Sequence, residues 1–136
     1  MKRLHKVLPL ILIVAVIAGC ATVGKTAYNI DAVTVTAIDT SMKMFADLVV
    51  AGKVPQPIQD QVKTYYPLYQ KSMILQITAT QAYLAIQQNQ AATQGDVATA
   101  KAEAERRIQA ASLAILDLVD ALSKAGVPQS VLPKSN

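Results

Sequence analysis

Along much of this chain apolar side chains recur at alternating spacings of three and four, the period of one face of an α-helix. In the span 27–51 the stripe is Val35, Ile38, Met42, Phe45 and Val49. Near the other end it is Ala104, Ile108, Ala111, Ile115, Leu118, Leu122 and Ala125, and the segment from Lys101 to Glu105 is rich in good helix formers. Between them a middle helix begins near Pro57, carries Ile58, Val62, Tyr65, Tyr66 and Tyr69, and continues through Met73, Ile77 and Leu84 to about Thr93. Pro67 lies inside it. A proline there removes one hydrogen bond and clashes with the preceding turn, so the expectation is a short helix over 57–65 with a kink or restart at Pro67. Val33-Thr34-Val35-Thr36 alternates as a strand would. No second strand-like run exists to pair with it, and helix is expected there.

The stops between these stripes are equally regular. Gly52 can adopt the left-handed conformation that ends a helix, and Pro55 and Pro57 prevent immediate resumption. Gln94-Gly95-Asp96 reads as a turn with Asp96 as N-cap. Gly126 with Val127-Pro128 closes the last helix, and the remaining residues, with Pro133, are expected to fray. Gly52-Lys53-Val54-Pro55-Gln56 echoes Gly126-Val127-Pro128-Gln129. What the two share is the chemistry of a helix stop, which does not require duplication. Similar helix lengths and short connections favour antiparallel neighbours. The predicted fold is all-α, an antiparallel three-helix bundle whose middle helix is kinked or restarted near Pro67, preceded by an N-terminal signal helix. A helical hairpin completed by oligomerisation is the alternative.

The first residues follow a different pattern. Lys2, Arg3 and Lys6 precede an apolar run of 12 residues, Val7 to Ala18, which is followed by Gly19 and Cys20. A membrane-spanning helix needs about 20 apolar residues, whereas a basic start, a short apolar run and small residues make an export signal. With Ile17, Ala18 and Gly19 directly before Cys20, this stretch resembles the bacterial lipoprotein precursor family and its lipobox. The resemblance covers about the first 21 residues. It implies cleavage after Gly19, diacylglycerol on the Cys20 thiol and an acyl chain on the new amine. Two or three chains give a stable anchor where one would be marginal. In diderm bacteria the residue after the cysteine is read for sorting. Ala21, in place of a retaining aspartate, implies the outer membrane, facing the periplasm; in a monoderm host the address would be the outer face of the plasma membrane. The expected organisation is a removed signal over 1–19, lipidated Cys20 with a tether over 20–26, a helical domain over 27–126 and a tail over 127–136.

This organisation changes what composition means. Removal of residues 1–19 from the 136 leaves 117, with 10 basic and 9 acidic side chains. Much of the formal net charge of +4 belongs to the signal and is no argument for nucleic acid. The single histidine, His5, leaves with the signal, and Cys20, the single cysteine, excludes an intrachain disulfide. The mature chain thus has no histidine, no free thiol and no glycine-rich phosphate loop. Asp117 with Asp120, and Glu103 with Glu105 and Asp96, are spaced as a solvated helix face would be. No enzyme activity, catalytic residue, metal site or cofactor is expected beyond the covalent lipid.

Two stretches remain as candidates for recognition. Tyr65, Tyr66 and Tyr69 cluster around Pro67, where aromatic rings either fill a core or bind sugars or proteins. Ser72 to Gly95 carries no charge over 24 residues, and its glutamines, among them Gln76, Gln81 and Gln87, argue against a membrane helix. A partner or homo-oligomer interface is one reading of that segment, and a neutral solvent face is the other. The expected function is a non-catalytic, membrane-anchored envelope lipoprotein acting through protein association as scaffold, assembly factor or accessory subunit. The alternatives are a glycan or small-ligand module using the tyrosines, or a phage-type lysis or exclusion lipoprotein.

Overall fold

The computed structural model describes residues 34–134; the signal, Cys20 and the tether lie outside them. Three helices follow in order, α1 (Val35–Val50), α2 (Gln56–Gln88) and α3 (Gln94–Lys124), and no strand occurs among the described residues. At 1.5 Å per residue they run about 24, 50 and 46 Å. α2 and α3 form a long antiparallel hairpin, and α1 reaches along about half of it.

The core divides accordingly. Ile38 and Phe45 of α1 join Val62, Tyr69 and Met73 of α2 and Ala111, Ile115, Leu118 and Leu122 of α3 in one buried cluster. Beyond the reach of α1, a smaller cluster holds Tyr83, Ala104 and Ile108, with Ala79, Val97 and Ala100 packed against it. Alanines on α3 let the helices approach closely and leave room for the Tyr83 ring.

Helix ends are where local chemistry is most visible. Gly52 and Gly126 adopt φ of 69° and 91°, conformations that a Cβ disfavours. After each, two backbone bonds close the helix: Gly52 N–H to Val49 O with Lys53 N–H to Leu48 O, and Gly126 N–H to Ser123 O with Val127 N–H to Leu122 O. Val54 and Val127 then turn inward and are buried. The echoed segments are two copies of one stop, a left-handed glycine followed by a buried valine and a proline.

Four expectations need correction. α2 does not restart at Pro67 but continues through it from Gln56 to Gln88. Pro67 removes the donor to the Lys63 carbonyl, and both residues are exposed, on the side of α2 away from the core. α2 also ends at Gln88, before Thr93, and the N-cap of α3 is Thr93 rather than Asp96. Asp96 is instead the third helical residue of a capping box. Nor does the C-terminal segment fray over its described residues: Leu132 is buried, and the Ser41 hydroxyl of α1 donates to Val131 O at 3.0 Å. Ile77 and Leu84, two apolar residues of this helix, are exposed. The inward row is Tyr69, Met73, Gln76, Thr80 and Tyr83.

Candidate functional site

Four of the candidate carboxylates, Asp96, Glu103, Glu105 and Asp120, are occupied by local structure. Thr93 Oγ1 donates to Asp96 Oδ2 at 2.7 Å, Thr93 N–H to the same oxygen at 2.9 Å, and Asp96 N–H donates back to Thr93 Oγ1 at 3.1 Å. The Thr93 side-chain bond, followed by its backbone bond, holds the Asp96 carboxyl below its usual range. Glu103 takes a two-pronged contact from Arg106, with Nε at 2.9 Å and Nη2 at 2.8 Å, and a third bond from Arg107 Nε at 2.6 Å. Hydrogen bonds from Arg106 and then Arg107 lower its pKa. Glu105 pairs with Lys101 at 3.7 Å. Asp120 pairs with Lys124, whose pKa is raised chiefly by the hydrogen bond to that carboxylate. These are (i, i+3) and (i, i+4) pairs on the surface of one helix, which support it modestly. Among the described residues no group of three or more His, Cys, Asp and Glu is placed to hold a metal ion.

The tyrosines belong mainly to packing. Tyr69 is buried, and its ring lies 6.1 Å from that of Tyr66 at an interplanar angle of 27°. Tyr65 and Tyr66 are partly buried against the main core. α2 stays helical through Pro67, so all three rings project from one helix.

The candidate glutamines separate by helical phase. Gln81 is exposed, and Gln87 is half-buried with its Nε2 donating to Tyr83 Oη at 2.9 Å. Gln76 is 0% exposed. Neither its Nε2 nor its Oε1 has a hydrogen-bond partner among the described residues, and the same is true of buried Thr80 Oγ1 one turn later. Gln76 therefore cannot serve as an accessible interface residue in this fold: three positions after Met73, it shares the inward row. Sequence reasoning also missed Tyr83, although it continues the 3-4 spacing of that row. No helix among the described residues is long and apolar enough to cross a membrane.

What remains accessible is apolar side chain without charge. Ile74, Ile77 and Leu84 are 64, 37 and 38% exposed, all within the charge-free stretch Ser72–Gly95. On α3, Leu113 and Leu116 are exposed as well. Comparison with known protein families, with curated proteins and with solved structures finds no match for this chain.

Proposed function

We propose that this chain is a non-catalytic envelope lipoprotein, anchored through lipid on Cys20, that works by associating with another protein chain as scaffold, assembly factor or accessory subunit. The observation that carries the association is the exposure of Ile74, Ile77 and Leu84 on a charge-free stretch of α2. Scattered apolar side chains on a surface need no explanation, but several on one helix with no charge among them mark an interaction face. The anchor is supported by Ile17-Ala18-Gly19-Cys20 behind a basic and apolar leader. Ala21 favours the outer membrane of a diderm host, with the helices on the periplasmic side.

The tyrosine region supports glycan binding less well, since Tyr69 is buried and its ring is stacked with that of Tyr66. A pull-down with the lipidated protein against solubilised envelope, run beside sedimentation with purified cell wall, tests the choice. Recovery of protein at stoichiometric yield is expected. Sedimentation with cell wall and no protein recovered would reverse the preference.

A further inference from the structure

α2 carries two rows at the same 3-4 spacing, one residue out of phase. The inward row is Tyr69, Met73, Gln76, Thr80 and Tyr83. The second is Gln70, Ile74, Ile77, Gln81, Leu84 and Gln88, and all six are exposed. One residue is about 100° around a helix, so no rotation of α2 can turn both rows onto α3. Turning the second row inward would expose Met73 and Tyr83. The fold buries the larger side chains, and a regular row of glutamine, isoleucine, isoleucine, glutamine, leucine and glutamine is left facing out.

We infer that this second row is the contact between two copies of the chain, packed α2 to α2 in parallel and in register; the inference rests on the association reading above. A two-fold interface sets each residue near the axis against its own copy. Any charge near the axis would meet the same charge; from Ser72 to Gly95 there is none, and exposed Lys71 lies only at the row's first end, beside Gln70. Parallel register gives layers of Ile74 on Ile74, Ile77 on Ile77 and Leu84 on Leu84, with the Gln70, Gln81 and Gln88 amides pairing donor to acceptor between them. Antiparallel pairing centred on Gln81 would instead set Ile74 against Gln88. A strongly charged partner would gain no electrostatic complementarity from this face. A helix lying on a membrane surface would be expected to have basic residues along its apolar stripe, and beside Ile74, Ile77 and Leu84 there is none, Lys71 lying at the row's end. The row is about 27 Å long, too little for an obligate dimer, which buries about 2,000 Å² or more. The pairing is thus of the weak class, and confinement of anchored chains to one membrane would raise its occupancy.

The test replaces Gln81 in the full-length chain, in its own envelope, with the photo-crosslinking residue p-benzoylphenylalanine. Irradiation should give an adduct of twice the chain mass, with the crosslinked peptide mapping to 77–88 of the second copy. Adding Ile77→Glu should abolish the adduct while leaving the thermal melt within a few degrees of the parent, because Ile77 is exposed and belongs to neither buried cluster. An adduct to a different protein, an adduct to lipid, a dimer mapping elsewhere on the chain, or a dimer unaffected by Ile77→Glu would each overturn the pairing. Absence of an adduct would do the same. Protein still recovered in the envelope pull-down would then leave the association reading standing, and loss of both would remove it too.

Discussion

Gln76 offers the sharpest test of the packing, because it is a side chain whose burial costs stability in the fold as described. Its side chain is fully buried, and neither amide atom has a hydrogen-bond partner among the described residues. In water the amide would be fully hydrogen-bonded, and an unsatisfied buried polar group costs about 1–3 kcal/mol. Methionine has the same unbranched reach without the amide, so Gln76→Met should stabilise by about 1–3 kcal/mol. For a domain near this size each kcal/mol moves Tm by about 4–8 °C. Thr80→Val, one turn later with an equally unpartnered hydroxyl, should stabilise as well, by about 1 kcal/mol. Circular dichroism melts and urea titrations with an unchanged m value measure both. Gln81→Met, on the exposed row, is the control and should stay within about 0.5 kcal/mol. A lower Tm for Gln76→Met would refute the reasoning. It would mean that the amide is satisfied, most simply by an ordered water shared with Thr80, and the two substitutions would then be strongly non-additive.

Other outcomes follow from the same structure. Ile115→Asp and Phe45→Asp each place an unpaired carboxylate in the main core and should cost about 4 kcal/mol or more; either variant melting like the parent would overturn the bundle. Thr93→Ala removes the α3 cap and should cost about 1 kcal/mol, read in the same urea titration. Asp96 and Glu103 have folded pKa values below the ordinary 3.8 and 4.5, so their contribution is present above those values and is lost as pH falls through the lower folded ones. Urea midpoints should therefore fall as pH drops below about 4, and less steeply in Thr93→Ala; an identical slope would show that the capping box does not set Asp96. Cys20→Ser should block incorporation of labelled palmitate and leave a precursor of higher mass, and label still entering that variant would remove the anchor. Ala21→Asp should shift the protein to the inner-membrane fraction of a diderm host, and an unchanged distribution would remove the outer-membrane assignment.

The sequence by itself determined the three helices among the described residues, their glycine stops and their antiparallel order. Periodicity and stop chemistry are local: a 3-4 stripe needs only its own residues, and Gly52 and Gly126 end their helices through backbone bonds within six positions. The capping box at Thr93 was also readable, since a threonine three residues before an acid carries its own signature, yet Asp96 was assigned the wrong end of it. What only the tertiary structure decided was phase and burial. Two rows on α2 share one period, and nothing within α2 says which faces inward; Met73 and Tyr83, fitted against the alanines of α3, settle it and carry Gln76 inside with them. The continuity of α2 at Pro67 was likewise undecidable locally, because a proline costs the same in any helix. Here the Val62, Tyr69 and Met73 side chains, from both sides of it, join one core, which favours a single continuous helix. The described end of the chain, polar and short by composition, is held because Val127 and Leu132 join the core that the three helices share and Ser41 of α1 donates to Val131 O, contacts that exist only once the helices have met.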